Sequence, residues 1–257
     1  MVCSVTAPEI VPTFAVCCGS HRRHAGARDT AMYYACTYCR MHTPGHLCII
    51  TPDMPGQCGR YTWDDIRGSV SRETSVVQRP VSIGQVLSMR RGEWTGLNAF
   101  VRSETQGAIR RLCLHSLVDA PPPVSPCCEC IAAVFPEVNG VIVVNREYGG
   151  MTPIGMTFVQ MLAYARGRQT PGFTGLSRRT LLADSFLRAE GGRSRVVWMP
   201  RELRHRVECM RMYSPAAAEV SGTWFRTADE HIGTTVDAIG AYVRAVVHPA
   251  GAMRPIV

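Results

Sequence analysis

The sequence predicts a single domain with mixed helices and strands, of the α+β or α/β class. The chain has 257 residues, of which 46% are hydrophobic and 19% charged, so it can bury a sizeable core. Two runs of mostly β-branched residues, Val141 to Val144 and Val196 to Trp198, predict buried strands. Apolar residues at helical spacing in other segments predict helices that cover those strands.

The first half of the chain predicts a lead-in, a loop region and a helical region. Residues 1–30 contain two prolines and a basic run, and predict an irregular lead-in to a domain over residues 31–257. Residues 31–66 combine cysteines with Pro, Gly and Thr, as expected of a loop that wraps a metal. Residues 84–118 carry two apolar stripes and predict mostly helix.

Two helices are predicted in the second half. The first ends at Gly167. Its apolar positions at helical spacing are Phe158, Met161, Leu162 and Ala165. The second begins with a capping pattern of Thr234 with Asp237 and stops at His248-Pro249. With the strands, these helices indicate a buried sheet surrounded by helices and metal-binding loops.

The charge of the chain indicates anionic ligands rather than nucleic acid. The net charge of +8 comes from arginine alone, since the sequence contains no lysine. The arginines are scattered, with local pairs such as Arg178-Arg179 and no basic stripe interleaved with aromatic residues. They are best explained by a GC-rich coding bias together with sites for anionic groups such as the phosphates of a nucleotide-bearing thioester. No stretch approaches the roughly 20 apolar residues of a membrane helix, and no secretory signal is recognised, so we expect a cytoplasmic protein without a membrane partner.

The cysteines form the first candidate site. Twelve cysteines are many for a cytoplasmic chain, where they act as metal ligands or reactive thiols rather than as disulfides. Cys36 and Cys39 form a Cys-x-x-Cys pair, and Cys48 and Cys58 follow at loop-like spacing. Four thiolates in this arrangement hold either a 4Fe-4S cluster or a zinc ion. The spacing alone does not separate the two.

A second cysteine cluster, Cys127, Cys128 and Cys130, follows the helix-breaking run of residues 120–123. Cys128-Glu129-Cys130 is a Cys-x-Cys, whose two thiolates and two backbone amides could form a square-planar nickel or copper site. The alternative is that Cys130 is a small buried core residue.

Several segments of the chain resemble the cluster-binding C-terminal domain of acetyl-CoA synthase. The most specific are Ala35 to Trp63, Val138 to Phe158, Arg168 to Gly175 and Ala189 to Arg204. The resemblance covers residues 31–257 and implies the fold of the family's A-cluster domain. It favours a 4Fe-4S cluster on the four cysteines of the first cluster. It also implies that the thiolate of Cys39 bridges this cluster to nickel.

The chain departs from the family where the second nickel is bound. The family uses a Cys-Gly-Cys motif, and Ser125, Pro126 and Cys127 occupy its positions here. Proline has no backbone N–H to become an amide ligand, and serine is a hard donor where a soft thiolate is required. Cys127 could instead bind one metal together with Cys39. His42 replaces a phenylalanine of the family and is either a metal ligand, an acid or base, or a solvated loop residue.

These features predict an acetyl-CoA synthase-like acyltransferase with Cys127, Cys128 and His42 as candidate catalytic residues. Cys130 joins them as a candidate metal ligand, and the predicted cofactors are a 4Fe-4S cluster and nickel. The resemblance implies coenzyme A or an acyl thioester, and a corrinoid or acceptor protein, as partners. Two alternatives are an iron–sulfur protein without nickel chemistry, acting in electron transfer or docking, and a zinc-binding structural domain.

Overall fold

The computed structural model describes residues 30–41, 46–70, 77–123, 129–166, 168–212 and 226–257. The strands in these ranges are β1 (Met32–Cys36), β2 (Cys48–Ile50), β3 (Gln78–Ser82), β4 (Val86–Ser88), β5 (Glu93–Trp94), β6 (Cys130–Phe135), β7 (Gly140–Asn145), β8 (Phe173–Leu176) and β9 (Val196–Trp198). The α-helices are α1 (Trp63–Val70), α2 (Thr95–Glu104), α3 (Phe158–Ala165), α4 (Arg178–Leu182), α5 (Arg201–Met212) and α6 (Val236–Ala245). The mixture of helices and sheets confirms the predicted fold class.

A four-stranded sheet with the order β8-β6-β7-β9 forms the centre of the structure. β6 runs antiparallel to β7 and β8, whereas β7 and β9 are parallel. A short 3-10 turn and Asn139, in the left-handed region at φ 51°, connect β6 to β7. Both runs predicted as buried strands, residues 141–144 and 196–198, are confirmed within β7 and β9.

Apolar side chains cover both faces of this sheet. Ile131 and Phe135 of β6 point to one face, where they pack with residues of α3 and α6. Cys130 and Ala132 point to the other face and pack with Leu203 of α5. This alternation follows from the two-residue period of a strand. Burial of each large apolar side chain contributes about 1.5–3 kcal/mol, which makes this sheet the main core.

The two predicted helices flank the sheet, and one cap differs from its prediction. α3 begins with a capping box between Thr157 and Gln160, and its helical pattern is confirmed. α6 is confirmed as well, but the hydroxyl of Thr235, not of Thr234, accepts the N–H of Ala238. The predicted cap was therefore wrong by one residue, because a threonine hydroxyl caps a helix without an acidic residue three positions on, and Ala238 stands there after Thr235.

A second, three-stranded antiparallel sheet has the order β2-β1-β3. One face packs against Trp94 and Leu97, and the other against Trp63 and Ile66 of α1. α1 begins where the carboxylate of Asp65 accepts the backbone N–H of Thr62. The expectation of a loop over residues 31–66 was therefore wrong in part, since strands and a helix flank the cysteines there.

The predicted helix over residues 84–118 was also wrong in part. β4 and β5 form a hairpin whose turn contains Gly92 at φ +68°, and only α2 is helical. After α2, Leu112 and Leu117 are fully buried in a non-helical segment. Apolar spacing does not distinguish such a segment from a helix. None of the helices in the described ranges is long and apolar enough to cross a bilayer.

Candidate metal centre

Cys36 and Cys48 face each other at one end of the three-stranded sheet. Cys36 is the last residue of β1 and Cys48 the first of β2, and they are direct cross-strand partners. Opposed residues of an antiparallel pair have Cβ atoms about 4.5–5.5 Å apart and project to the same side. Both side chains are buried, on the face that also holds Tyr34, Ile50 and Trp63.

The other two cysteines of the first cluster approach this end from loops. Cys39 lies in a 3-10 helix, Tyr38–Met41, that follows β1 directly. Cys58 lies in a turn held by hydrogen bonds from Gly56 N–H to the Tyr61 carbonyl and from Gly59 N–H to the Gly56 carbonyl. Cys39 and Cys58 are both half-buried. The four predicted ligands are therefore carried by β1, β2 and the adjoining turns.

The Cys36 sulfur has two hydrogen-bond donors beside it in surroundings that otherwise disfavour its thiolate. Burial raises the pKa of this thiol, and the nearby Cys58 raises it further. Hydrogen bonds from the Tyr38 backbone N–H and the Gln78 side chain oppose the rise. Gln78 is the cross-strand partner of Cys36 on β3. Hydrogen bonds to sulfur are a main means by which a protein adjusts an iron–sulfur cluster, and a thiol with a raised pKa must release its proton on metal binding.

His46 adds a ring nitrogen beside the second sulfur. Its Nε2 lies 3.1 Å from Cys48 Sγ, and its side chain is buried. An imidazole N–H in this position donates a hydrogen bond to a thiolate. Together, His46, Gln78 and the backbone of Tyr38 supply polar contacts to the sulfurs in an otherwise apolar face.

The first cysteine cluster meets the beginning of β6, where the second cluster ends. A β-carbon added at Gly59 would lie 3.2 Å from Ser177 Cβ and 3.8 Å from Glu129 Oε2. Gly59 directly follows Cys58, and Glu129 directly follows Cys128. The close approach and a φ of +70° explain why glycine occupies this position. The turn that carries Cys58 thus lies against Glu129, immediately before Cys130 and the start of β6.

An ionic network fixes this contact. The backbone N–H of Arg178 donates to Glu129 Oε2 at 2.8 Å, and its guanidinium Nη2 lies 2.6 Å from Glu147 Oε1. Asn145 Nδ2 donates to the other oxygen of Glu147 at 2.7 Å. Burial raises the pKa of Glu147, but hydrogen bonds from its own backbone, Arg178 and Asn145 outweigh this and lower the pKa overall. Glu147 is therefore an anion that holds the Arg178 guanidinium.

The remaining predicted site residues fall into two groups. His42, Cys127 and Cys128 lie outside the described residues, so their roles stay predictions. Cys130 is fully buried among the apolar residues on the α5 side of the main sheet. That position is the one expected of a core cysteine, and its role as a metal ligand also stays a prediction.

Sequence reasoning did not identify Gln78, Gly59, Glu129 or Arg178 as parts of the site. Arg178 was noted only as half of an arginine pair. The glycine after Cys58 was a usable signal, since turns around clusters need left-handed residues. Gln78 carried no signal, because its contact with Cys36 depends on strand pairing.

The donor set fits a soft metal centre, although the sulfurs are not closed around a common point. Within the described ranges, no three His, Cys, Asp or Glu side chains are arranged to hold a metal ion as they stand. Four thiols at one end of one sheet, with polar contacts to two of the sulfurs, are the kind of ligands that iron–sulfur clusters and zinc require. Cys36, Cys39, Cys48 and Cys58 would hold such a group.

Comparisons with known proteins give the family of the chain. The family model for the C-terminal part of the ACS/CODH beta subunit matches residues 22–257. This chain belongs to that family.

The chain spans less than half the length of the curated relatives described here. It is 35% identical over 229 residues to the carbon monoxide dehydrogenase/acetyl-CoA synthase subunit alpha of Moorella thermoacetica, covering 87% of this chain and 31% of that protein. It is 35% identical over 222 residues to the acetyl-CoA decarbonylase/synthase complex subunit beta of Methanopyrus kandleri, covering 86% of this chain and 46% of that protein. A solved C-terminal domain of an acetyl-CoA synthase alpha subunit is 39% identical, with a TM-score of 0.45 over 51% of this chain and 98% of that domain.

Proposed function

We propose that this chain is an iron–sulfur acyltransferase of the acetyl-CoA synthase type with an altered second metal site. In this proposal Cys36, Cys39, Cys48 and Cys58 bind a 4Fe-4S cluster. The acyl group, an acetyl group in the simplest case, passes between a coenzyme A thioester and an acceptor at Cys127, Cys128 or a nickel ion bound there. The partner is a corrinoid protein, as methyl donor, or a separate acceptor protein.

One observation supports this proposal above the others. The Cys58 turn lies close to Glu129, the residue between Cys128 and Cys130, although Cys58 and Glu129 are far apart in sequence. Two unrelated structural cysteine groups would have no reason to meet. A cluster and an acyl-carrying thiol have to be neighbours if electrons or a bridging sulfur link them.

When bound, such a centre supplies electron transfer and a soft Lewis-acid position next to the thiols. The residues of the chain carry out the acyl transfer itself. A thiolate at Cys127 is a competent nucleophile toward a thioester carbonyl. Its attack forms a new S–acyl bond, the C–S bond to coenzyme A breaks, and the departing thiolate takes up a proton. Attack by the acceptor nucleophile on the acyl carbon then returns Cys127 to the thiolate.

A second candidate function has its own support. Pro126 cannot supply a backbone amide ligand, and the Cys130 side chain is fully buried in the core. A chain with these two features could retain the 4Fe-4S cluster for electron transfer or docking and lack nickel. Both candidates require iron and sulfide, and they differ in the second metal and in acyl exchange.

The first experiment measures iron, acid-labile sulfide, nickel and zinc per chain in protein purified or reconstituted without oxygen. About four iron and four sulfide with one or two nickel support the acyltransferase. Iron and sulfide without nickel favour the second candidate. Stoichiometric zinc without iron or sulfide would contradict both and indicate a zinc-binding structural domain.

The second experiment follows exchange of labelled coenzyme A into acetyl-CoA. Cys127→Ala and Cys128→Ala should each reduce the exchange rate if the acyl group passes through this segment. Cys209→Ala is the matched control, because Cys209 is a half-buried thiol on α5 outside the cysteine clusters. Full exchange in both Cys127→Ala and Cys128→Ala would remove the proposed acyl site.

A further inference from the structure

Cys36 has a polar neighbour on the strand beside it. In the sheet order β2-β1-β3, Cys36 stands opposite Cys48 on one side and opposite Gln78 on the other. Directly paired residues of neighbouring strands project to the same face of a sheet. Gln78 is buried there, with 7% of its surface exposed. Burial of an amide costs free energy unless the amide is hydrogen-bonded, so the partners of Gln78 define its role.

The backbone next to Gln78 fixes its place. Thr37 follows Cys36, and its N–H and its hydroxyl both donate to the carbonyl of Val77, at 2.9 and 3.1 Å. Val77 directly precedes Gln78. The end of β1 is therefore joined to the beginning of β3 at the level of Cys36 and Gln78, and these two bonds set the register of the strands there.

The side chain of Gln78 is oriented by Ser69 of α1. The Ser69 hydroxyl donates to Gln78 Oε1 at 3.1 Å, and it also lies 2.9 Å from the Ile66 carbonyl, which anchors the serine to its own helix. Because the amide oxygen of Gln78 faces the serine, the amide nitrogen faces away from the helix. This side chain hydrogen-bonds the Cys36 sulfur and favours its thiolate.

A hydrogen bond to a ligand sulfur is strongest when the sulfur carries the most negative charge. A metal-bound thiolate is more negative than a free thiol, and a reduced 4Fe-4S cluster carries one electron more than an oxidised one. The N–H of Gln78 therefore stabilises the metal-bound state over the metal-free state and the reduced state over the oxidised state.

We propose that Gln78 is a positioning residue for the Cys36 ligand: held by Ser69, it donates its amide N–H to the Cys36 sulfur and raises both the metal affinity of the four cysteines and the reduction potential of the group they hold. This inference rests on the proposed function, in which these cysteines hold a 4Fe-4S cluster. The effect on metal affinity applies to any soft metal that Cys36 binds.

The test compares Gln78→Leu, Gln78→Glu and Ser69→Ala with wild type and with Val81→Ala. Gln78→Leu removes both amide contacts. Gln78→Glu keeps the size of the side chain and the acceptor oxygen for Ser69, and replaces only the N–H donor. Val81 is buried on the opposite face of β3, in the apolar cluster around Trp94, so Val81→Ala controls for a general loosening of the strand.

Two sets of measurements are made on protein handled without oxygen. Iron and sulfide per chain, with the midpoint potential of the reconstituted cluster, report on the proposed function and on the effect of Gln78 together. The affinity of the metal-free protein for Co²⁺, followed by the thiolate-to-cobalt charge-transfer absorption, reports on the cysteine site whether or not an iron–sulfur cluster forms.

Gln78→Leu should bind Co²⁺ about tenfold more weakly than wild type. Its midpoint potential should be lower, and a tenfold shift in the one-electron equilibrium corresponds to about 59 mV. Gln78→Glu should shift both quantities in the same direction although it keeps the Ser69 contact, whereas a purely structural role would leave this variant unchanged. Ser69→Ala should shift both by less, because the amide is then held less firmly. Val81→Ala should match wild type.

Wild-type affinities and potentials in both Gln78 variants, or equal shifts in Val81→Ala, would overturn the role of Gln78. Wild type that binds Co²⁺ but no iron and sulfide counts against the 4Fe-4S cluster of the proposed function, and the Co²⁺ affinities then decide on Gln78 alone. Wild type that binds neither would overturn both.

Discussion

The two larger sheets differ in how their strands are held. All residues of β7 are buried, and both faces of the four-stranded sheet contact apolar clusters. In the three-stranded sheet, β3 has three exposed residues out of five, and the face that carries Cys36 and Cys48 packs only against a small cluster around Trp63. The candidate ligands therefore lie on a face whose apolar cluster is smaller than those of the four-stranded sheet.

This difference separates the roles of the two regions. The four-stranded sheet is held by apolar area and provides a stable frame for β6, which the second cysteine cluster precedes. The cysteine end of the three-stranded sheet gains less from burial, so metal ligation would supply much of its stability. Gly59, Ser177 and Glu129 connect the two regions. Variants in each region can separate the two roles.

The largest effect is expected when a ligand is removed. Cys36→Ser replaces a soft thiolate with a hard, weakly acidic hydroxyl. Loss of a residue that only hydrogen-bonds a metal ligand already lowers metal affinity by about 10–100-fold. Loss of a ligand itself should therefore lower iron per chain by about tenfold or more. Iron and sulfide analysis of anaerobic protein measures this.

Cys113→Ala is the control for the ligand experiment. Cys113 is fully buried, and burial together with Glu93 raises its pKa to about 12, which makes it a core thiol rather than a thiolate. Its iron content should equal that of wild type. Equal iron in Cys36→Ser and wild type would contradict the assignment of the first cluster.

The second prediction compares the truncation of one buried isoleucine in each of the two sheets. Ile142 and Ile50 are both fully buried, in β7 and β2 respectively. Replacement of either by alanine should destabilise the protein by about 2–5 kcal/mol, a fall of about 5–15 °C in the thermal midpoint. Ile50→Ala should also lower iron per folded chain, because Ile50 packs with Cys36 and Cys48. Equal iron loss in Ile142→Ala would show that the two sheets are not separable.

Much of the four-stranded sheet could be predicted from the sequence. The strands β7 and β9 contain continuous runs of mostly β-branched residues, because apolar residues cover both of their faces. The helix α3 carries both an apolar stripe and a capping box. In such segments the local pattern and the tertiary environment agree, and prediction succeeds.

The three-stranded sheet and the site network were harder to predict. β1 and β2 are short and each carries a cysteine, so their pattern resembles a metal-binding loop. The hairpin of β4 and β5 depends on a left-handed glycine inside a stretch with helical spacing. The contact of Arg178 with Glu129 joins residues 49 positions apart, and no local period contains such information. The sequence identified the candidate ligands but not the contacts that bring the Cys58 turn close to Glu129.

A smaller effect is expected where the two regions touch. Gly59→Ala places a side chain in the left-handed region and 3.2 Å from Ser177 Cβ. Gly107→Ala has the same backbone strain at φ +84°, with nothing within 4 Å of the new β-carbon. We expect about 1–2 kcal/mol of destabilisation in Gly107→Ala from strain alone, and about 1 kcal/mol more in Gly59→Ala.

The two glycine variants should also differ in second-metal content. Only Gly59→Ala should lower nickel relative to iron, because only it displaces the Cys58 turn from Glu129. Thermal midpoints and metal analysis measure the two effects. Identical behaviour of the two variants would mean that the contact at Gly59 does not link the two regions.

The smallest effect concerns pH and His115, at the boundary of the two regions. His115 is buried against Trp94 and Gly92, and burial, with the nearby Arg188, lowers its pKa below the usual 6.5. The unfolded chain therefore binds this proton more readily than the folded protein. The part of the folding stability that depends on a neutral His115 is fully present above about pH 6.5. It is lost as the pH falls through the pKa that this histidine has in the unfolded chain, by at most about 1.4 kcal/mol per pH unit.

His115→Phe keeps an aromatic ring beside Trp94 and removes this titration. The fall in the thermal midpoint between about pH 7.5 and pH 5.5 should be smaller in this variant than in wild type. Burial also lowers the pKa of His248, so His248→Phe should reduce the pH dependence in the same direction, and the double variant should reduce it further. An unchanged pH dependence in His115→Phe would show that the folded protein accepts a proton at this buried ring.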